Sequence, residues 1–413
     1  FAGYQLLMLN DFTGQSEALV GILDPFWESK GVVGAADVRA WNGPTAPLAR
    51  FARYTWSTAE EFRAAIEAAH DGAADLERVA VRWELATDGG EVLGEGRSEV
   101  ARVPAGRLTR LGEARAALGG LARASAMTLR VRVGDAENSW RLWAYPPAAA
   151  EPAGDCIVAT RFDETVERAL GVGRRVLLLA HGARSLRAAK TGFESVYWSA
   201  GWWGNAYSSL GILCDPAHPA LADFPNDGHS DWQWRDLTQG ATTFRLEGAP
   251  AGFRPIVQPV PDFHYGELLG QVFEARAGAG RLLVCGYDLT SDLERRHAAR
   301  QLRRSLLAYV NSAAFAPRHA LDADFLRDLF APSRLARRGA KIVEASSGDD
   351  ANGNVAANLL DGDPATFWHT RWQPANDPMP HRFVIDLGRA VVLRGITYLP
   401  RQDNPNGRVA EGE

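Results

Sequence analysis

Cysteine is scarce, with three residues in 413: Cys156, Cys214 and Cys285. They are too few and too widely spaced for a disulfide framework or a paired-cysteine zinc site, and they say nothing about the compartment. Long apolar runs are missing too. The longest, around residues 176–180 and 281–286, have the length of strands rather than of a membrane span. Nor is there an excess of positive charge: 45 Lys and Arg against 50 Asp and Glu leave a net charge of −5, which offers no footprint for nucleic acid or an anionic membrane. What remains is an ordinary globular composition, 23% charged and 46% hydrophobic, which excludes disorder and, with 41 glycines, collagen. The length suggests about two to four domains.

Residues 1–34 open on the apolar run Phe1-Ala-Gly-Tyr-Gln-Leu-Leu-Met-Leu9, of buried-strand type, followed by a polar turn and a helix-like stretch over 16–27. A single βα unit cannot bury its own faces, so its partners are expected upstream. At the other end, residues 396–400 lead into a polar stretch with too few strands to close a sandwich. The chain therefore reads as a piece of a longer protein. Residues 35–147 alternate in short segments around turn signals, among them Asp88-Gly-Gly90, and predict a β-sandwich. Residues 60–69 are helical by their Ala and Glu content, yet Phe62, Ala64, Ile66 and Ala68 alternate, which predicts a strand.

A Pro- and Ala-rich linker around 146–152 precedes an open α/β layer over 148–317, with strands at 157–160, 176–180, 195–198, 210–213 and 282–285 and helices at 163–170 and 291–310. Leu293, Leu302, Leu306 and Val310 line one face of the last helix, and its arginines, Arg295, Arg296, Arg300, Arg303 and Arg304, read as a solvated face. Residues 318–336 are a second linker holding a short helix capped by Asp322. Residues 337–413 return to a β pattern.

Several motifs invite chemistry and have plainer readings. Gly171-Val-Gly173 and Gly278-Ala-Gly280 each resemble half of a dinucleotide fingerprint, but both precede a strand instead of following one, so no nucleotide cofactor is expected. Cys214 with His218 suggests a thiol nucleophile, yet Asp215-Pro216 stands where a nucleophile elbow needs glycine and a helix, and a bystander cysteine is the better reading. Trp198, Trp202, Trp203, Trp232 and Trp234 gather in one loop-rich part of the α/β segment. Such indoles pack against a neighbouring domain, the reading preferred, or serve as a sugar platform formed by Trp202, Trp203, Trp232 and Trp234. Asp227, His229 and Asp231 nearby are loop polar residues with no second cluster in register, so no metal is expected there.

The sharpest signal lies in Ala357-Asn-Leu-Leu-Asp361-Gly-Asp363-Pro-Ala-Thr366-Phe-Trp368-His-Thr370, then Arg382-Phe-Val-Ile-Asp386-Leu-Gly388, then Gly395-Ile-Thr-Tyr-Leu-Pro400. This succession resembles about half of a discoidin-like module (coagulation factor V/VIII type C, carbohydrate-binding module family 32). The opening 31 residues resemble the eighth strand and final helix of the barrel in bacterial glycoside hydrolase family 2 enzymes of the β-galactosidase type. Trp41-Asn42, residues 47–50, Tyr54 and residues 138–146 resemble the immunoglobulin-like domain that follows that barrel. Residues 215–221 and 231–234 resemble an appended amidotransferase-like domain, although after the strand at 176–180, where such domains carry their nucleophile, stands His181-Gly182.

The resemblance implies a multidomain fold: a (β/α)8 barrel remnant, an immunoglobulin-like β-sandwich, a non-catalytic α/β amidotransferase-like (flavodoxin-like) domain and a partial discoidin-like β-sandwich. It implies a secreted or periplasmic exo-acting glycosidase acting on poly- or oligosaccharide by a retaining two-carboxylate mechanism, with its catalytic glutamates on barrel strands upstream. Glu17 and Glu28 cannot replace that pair, so no catalytic residue is expected in this chain; Asn10, Asp11 and Phe12 are expected at the active-site rim, with Asn10 and Asp11 as caps of the following helix the alternative. It further implies a structural calcium held by Asp361, Asp363, Thr366 and Asn358, against the alternative of an Asx-type turn closed by Thr366 without an ion. The rival reading of the whole chain is a non-catalytic carbohydrate-binding or adhesion protein.

Overall fold

The computed structural model describes residues 5–6, 8–12, 14, 21–147, 151–189, 191–193, 209–261, 266–331, 333–335, 338–362 and 366–401. In the N-terminal segment, residues 5–6, 8–9 and 21–27 take no part in a strand or helix, where a strand is expected at 4–9 and a helix at 16–27; residues 4, 7 and 16–20 lie outside the described residues. Asn10 makes one isolated parallel bridge to Leu23. Helix is prevented over 21–27 by Asp24, whose carboxylate accepts the amides of Phe26 and Glu28 at 2.8 Å, with Pro25 between and Trp27 at φ +68°.

Helix α1 (Ala35–Asn42) leads into a sandwich of eight strands: β1 (Thr45–Arg50), β2 (Thr55–Ser57), β3 (Glu61–His70), β4 (Leu76–Thr87), β5 (Val92–Val103), β6 (Arg107–Ala117), β7 (Ser125–Val133) and β8 (Ala136–Tyr145). One sheet has the order β1-β3-β6, the other β2-β8-β7-β4-β5. The strand expected at 60–69 is β3. Phe62, Ala64, Ile66, Ala68 and His70 all point into the core, so a period of two overrides the helical propensity of its alanines. Trp83 fixes the β4–β5 pairing: it lies opposite Gly96, where a Cβ would come 2.3 Å from the indole Nε1.

The next segment comprises β9 (Ile157–Ala159), α2 (Glu164–Gly171), β10 (Arg175–Leu179), β11 (Ala188–Ala189), β12 (Ser209–Cys214), α3 (Trp234–Thr238), β13 (Thr243–Arg245), β14 (Val257–Pro261), β15 (Leu269–Gly270), β16 (Val272–Ala277), β17 (Gly280–Cys285), α4 (His297–Asn311) and α5 (Ala323–Leu329). Its main sheet runs β12-β14-β16-β17-β10-β9, with β11-β13-β15 beside it. Among the described strands of this sheet, β9, β10 and β17 run parallel, while β16, β14 and β12 add antiparallel. Strand β10 is apolar on both faces. Leu177 and Leu179 join the core under α4, and Val176 and Leu178 join the core shared with Val166 and Leu170 of α2.

The two glycine pairs have a packing role. A Cβ on Gly280 would lie 2.5 Å from the Arg174 carbonyl and 2.8 Å from that of Leu170, so the strand can begin there only without a side chain. Helix α4 starts later than the expected residue 291, because Asp292 is at φ +48° and the Asp288 carboxylate binds the amides of Thr290 and Ser291 instead. Its arginines are not simply a solvated face. Arg296 pairs with Asp236 at 2.9 Å and Asp288 at 3.0 Å, Arg300 donates to the Pro146 carbonyl at 3.0 Å, and Arg303 pairs with Glu151. Asp322 caps α5 as expected, accepting the Phe325 amide at 2.7 Å.

The sandwich and the α/β segment share a core. Along β8, Leu142 and Ala144 face the sandwich interior while Trp143 and Tyr145 point the other way, into the cluster that contains Phe224, Trp234, Leu302 and Leu306. Beyond α5, β18 (Lys341–Ala345) pairs antiparallel with β19 (Phe383–Asp386). Trp368 packs edge-on to Phe383, ring centres 5.6 Å apart, and its indole donates to the Ser347 carbonyl at 2.9 Å.

Candidate functional site

Where the sandwich meets the α/β segment, a cleft of ≈ 860 Å³ opens against edge strand β12. Phe193, Gly211, His229, Ser230, Trp232 and Arg235 are among its walls. Gly211 is at φ +140°, in a register shift of β12, and a Cβ there would lie 2.5 Å from the Ser230 hydroxyl. That close approach lets Ser230 Oγ accept the Ile212 amide at 2.9 Å and keeps its own hydrogen for another acceptor. His229 Nδ1 is 3.0 Å from the Ser230 carbonyl. A carbonyl only accepts, so Nδ1 carries the proton and Nε2 is left as an acceptor in the neutral ring.

Trp232 is half exposed and stacks on Tyr54 of the sandwich, centres 4.9 Å apart and planes 7° from parallel, with Phe193 5.5 Å away. Arg235, in the first turn of α3, is exposed, and among the described residues its guanidinium makes no hydrogen bond or ion pair. Asp231 is turned away beneath the cleft. It accepts from the Gln233 amide at 3.0 Å and from Gln233 Nε2 at 3.1 Å, and Gln233 in turn accepts from the Tyr145 hydroxyl. Burial raises the Asp231 carboxyl to about 6, against the opposing Gln233 hydrogen bonds.

The tryptophans expected as a platform therefore divide. Trp232 borders the cleft; Trp234 is fully buried between Phe224 and Tyr287 and cannot meet a ligand, because its indole faces the core from inside α3. Trp202 and Trp203 lie outside the described residues, as does Trp198. Asp227, His229 and Asp231 do not converge, since Asp227 pairs with Arg141 at 2.9 Å, and among the described residues no three His, Cys, Asp or Glu side chains could hold a metal. Burial pushes the Cys214 thiol up to about 12, and it donates to Asn226. His218 caps the turn at Pro219–Leu221, and His181 is an exposed residue after β10.

Near the N-terminus, Asp11 is buried, accepting the Gly21 amide at 2.8 Å and pairing with Lys30 at 2.7 Å; Asn10 donates to the Asp11 carbonyl, and Phe12 is half exposed. Glu28 is exposed, and Glu17 lies outside the described residues.

In the C-terminal loop, Gly362 at φ +74° turns the chain so that Thr366 Oγ1 donates to Asp361 Oδ2 at 2.8 Å. This is the contact expected of the ion-free turn, and it also puts two hard oxygens side by side, which suits calcium. Arg184 of the α/β segment forms an ion pair with Asp361. Asn358 holds the loop together by donating to the carbonyls of Gly353 at 2.9 Å and Phe367 at 3.0 Å; Asp363 lies outside the described residues. Arg235 and Arg184 escaped the sequence reading, since nothing in the order of residues separates them from other surface arginines.

Residues 342–413 match the F5/8 type C domain, and residues 60–146 and 157–331 match two domains of unknown function (DUF8488 and DUF8487). A sialidase of Micromonospora viridifaciens is 46% identical over 59 residues, 14% of this chain and 9% of that protein. A galactose oxidase of Gibberella zeae is 39% identical over 64 residues, 15% of this chain and 9% of that protein. The chain thus spans about a tenth of the length of these relatives. Among solved structures, a β-glucuronidase of Parabacteroides merdae overlaps 33% of this chain and 22% of its own, at 10% identity and a TM-score of 0.18, short of a shared fold. No helix among the described residues is long and apolar enough to cross a membrane.

Proposed function

We propose that this chain is a carbohydrate-binding accessory region of a secreted or periplasmic glycoside hydrolase of the β-galactosidase type, with the acid/base and nucleophile glutamates on barrel strands outside these 413 residues. The observation that carries it is the F5/8 type C domain at residues 342–413, on the same chain as segments whose motifs resemble the domains that follow a glycosidase barrel. The sialidase relative supports a setting in glycan chemistry. In this reading the α/β segment is a docking body and not a catalyst: the shared core with the sandwich gives it rigidity, and its thiols are held protonated by burial. Asn10, Asp11 and Phe12 would border the parent's pocket.

A calcium ion, when bound, would neutralise Asp361 and stiffen its loop; Asp361, Thr366 and Asp363 are the residues that would hold it, and Asn358 keeps the loop's shape. The chain should slow in affinity electrophoresis through gels containing a galactan, and leave p-nitrophenyl β-galactoside unhydrolysed. Unchanged mobility across neutral and acidic polysaccharides, or turnover by the chain itself, would overturn the reading.

A further inference from the structure

The geometry points to the cleft between Trp232 and Arg235 as a binding site for a carboxylate-bearing sugar, a uronate unit of a glycan, separate from the F5/8 type C domain. This rests on the carbohydrate reading and names a ligand class within it. Four kinds of group meet at the cleft. Trp232, braced by Tyr54 and Phe193, supplies a fixed apolar surface for sugar C–H groups. His229 Nε2 accepts from a hydroxyl, and the Ser230 hydroxyl donates to one.

Arg235 decides the class. Its planar fork matches a carboxylate with two parallel hydrogen bonds, and it has no partner of its own among the described residues. The acids nearest in sequence are already engaged, Asp231 with Gln233 and Asp236 with Arg296 at 2.9 Å, and among the described residues no acidic side chain lines the cleft. An anionic sugar would therefore meet Arg235 as a cation with no partner among the described residues. At ≈ 860 Å³ the cleft has the size of a small-ligand site.

The test uses isothermal titration of the intact chain with a galacturonate tetrasaccharide and with its methyl ester, which keeps the skeleton and removes the charge. The acid should bind about tenfold more tightly than the ester, Arg235→Gln should abolish that preference, and Trp232→Ala should weaken both forms. Arg235 is exposed, so its variant should melt with the native protein, and a matched melting curve confirms that the fold is intact. Equal binding of acid and ester, or an acid preference that survives Arg235→Gln, would overturn the site while leaving retardation by neutral galactan to support the accessory role. Loss of all glycan binding by the native chain would overturn both.

Discussion

Replacing Asp231 by Asn should change stability by an amount that depends on pH. In the folded chain the carboxyl titrates at about 6 instead of the ordinary 3.8, chiefly because burial disfavours its charge; Asp227 adds to the shift, while the Gln233 hydrogen bonds and His229 oppose it. Between those two values the folded state holds more protons than the unfolded one, so stability is fully present below 3.8 and is lost as pH rises through 6. A shift of about two pKa units at 1.36 kcal/mol each makes the total loss about 3 kcal/mol, of which about 2 kcal/mol falls between pH 4.5 and 7.5. Asn cannot ionise and escapes that loss. It does give up the Gln233 Nε2 hydrogen bond, a cost of about 1 kcal/mol that is the same at both pH values. Urea denaturation of both proteins at pH 4.5 and 7.5 should show the variant gaining about 2 kcal/mol relative to native at the higher pH. A difference between the two proteins that does not move with pH would refute the reasoning.

Tyr145→Phe should destabilise by about 1–3 kcal/mol in chemical denaturation, because Gln233 Oε1 loses its donor in a buried interface between two domains. Gly280→Ala should cost about 1–3 kcal/mol by the same assay, the new Cβ meeting the Arg174 carbonyl, whereas Gly90→Ala meets no atom and should cost only the strain of φ +85°. If calcium binds at Asp361, it should raise the melting temperature in a way Asp361→Ala abolishes, and Arg184→Ala should enlarge the shift by removing the competing cation; curves indifferent to calcium and chelator in native and Arg184→Ala proteins alike would rule the ion out.

Local rules were enough for much of the fold. Alternation identified β3 against its own helical propensity, since side chains in a strand must face opposite sides and only one side here meets the core. Turn and cap chemistry, Asp88-Gly-Gly90 and Asp322, also acts within a few residues and is readable in order. The succession from Asp361 to Gly388 pointed to the C-terminal domain for the same reason: its signals are contiguous. Tertiary structure decided the rest. Whether a strand such as β12 or β16 adds parallel or antiparallel depends on where the chain returns, which leaves no mark on the strand's own residues. Trp232 and Trp234 differ by two positions, yet one stacks at a cleft and the other vanishes into a core, because Tyr54 and Tyr287 come from distant parts of the chain. The environment of Asp231 and the open guanidinium of Arg235 arise in the same way: burial and charge balance are set by neighbours in space, which the order of residues does not specify.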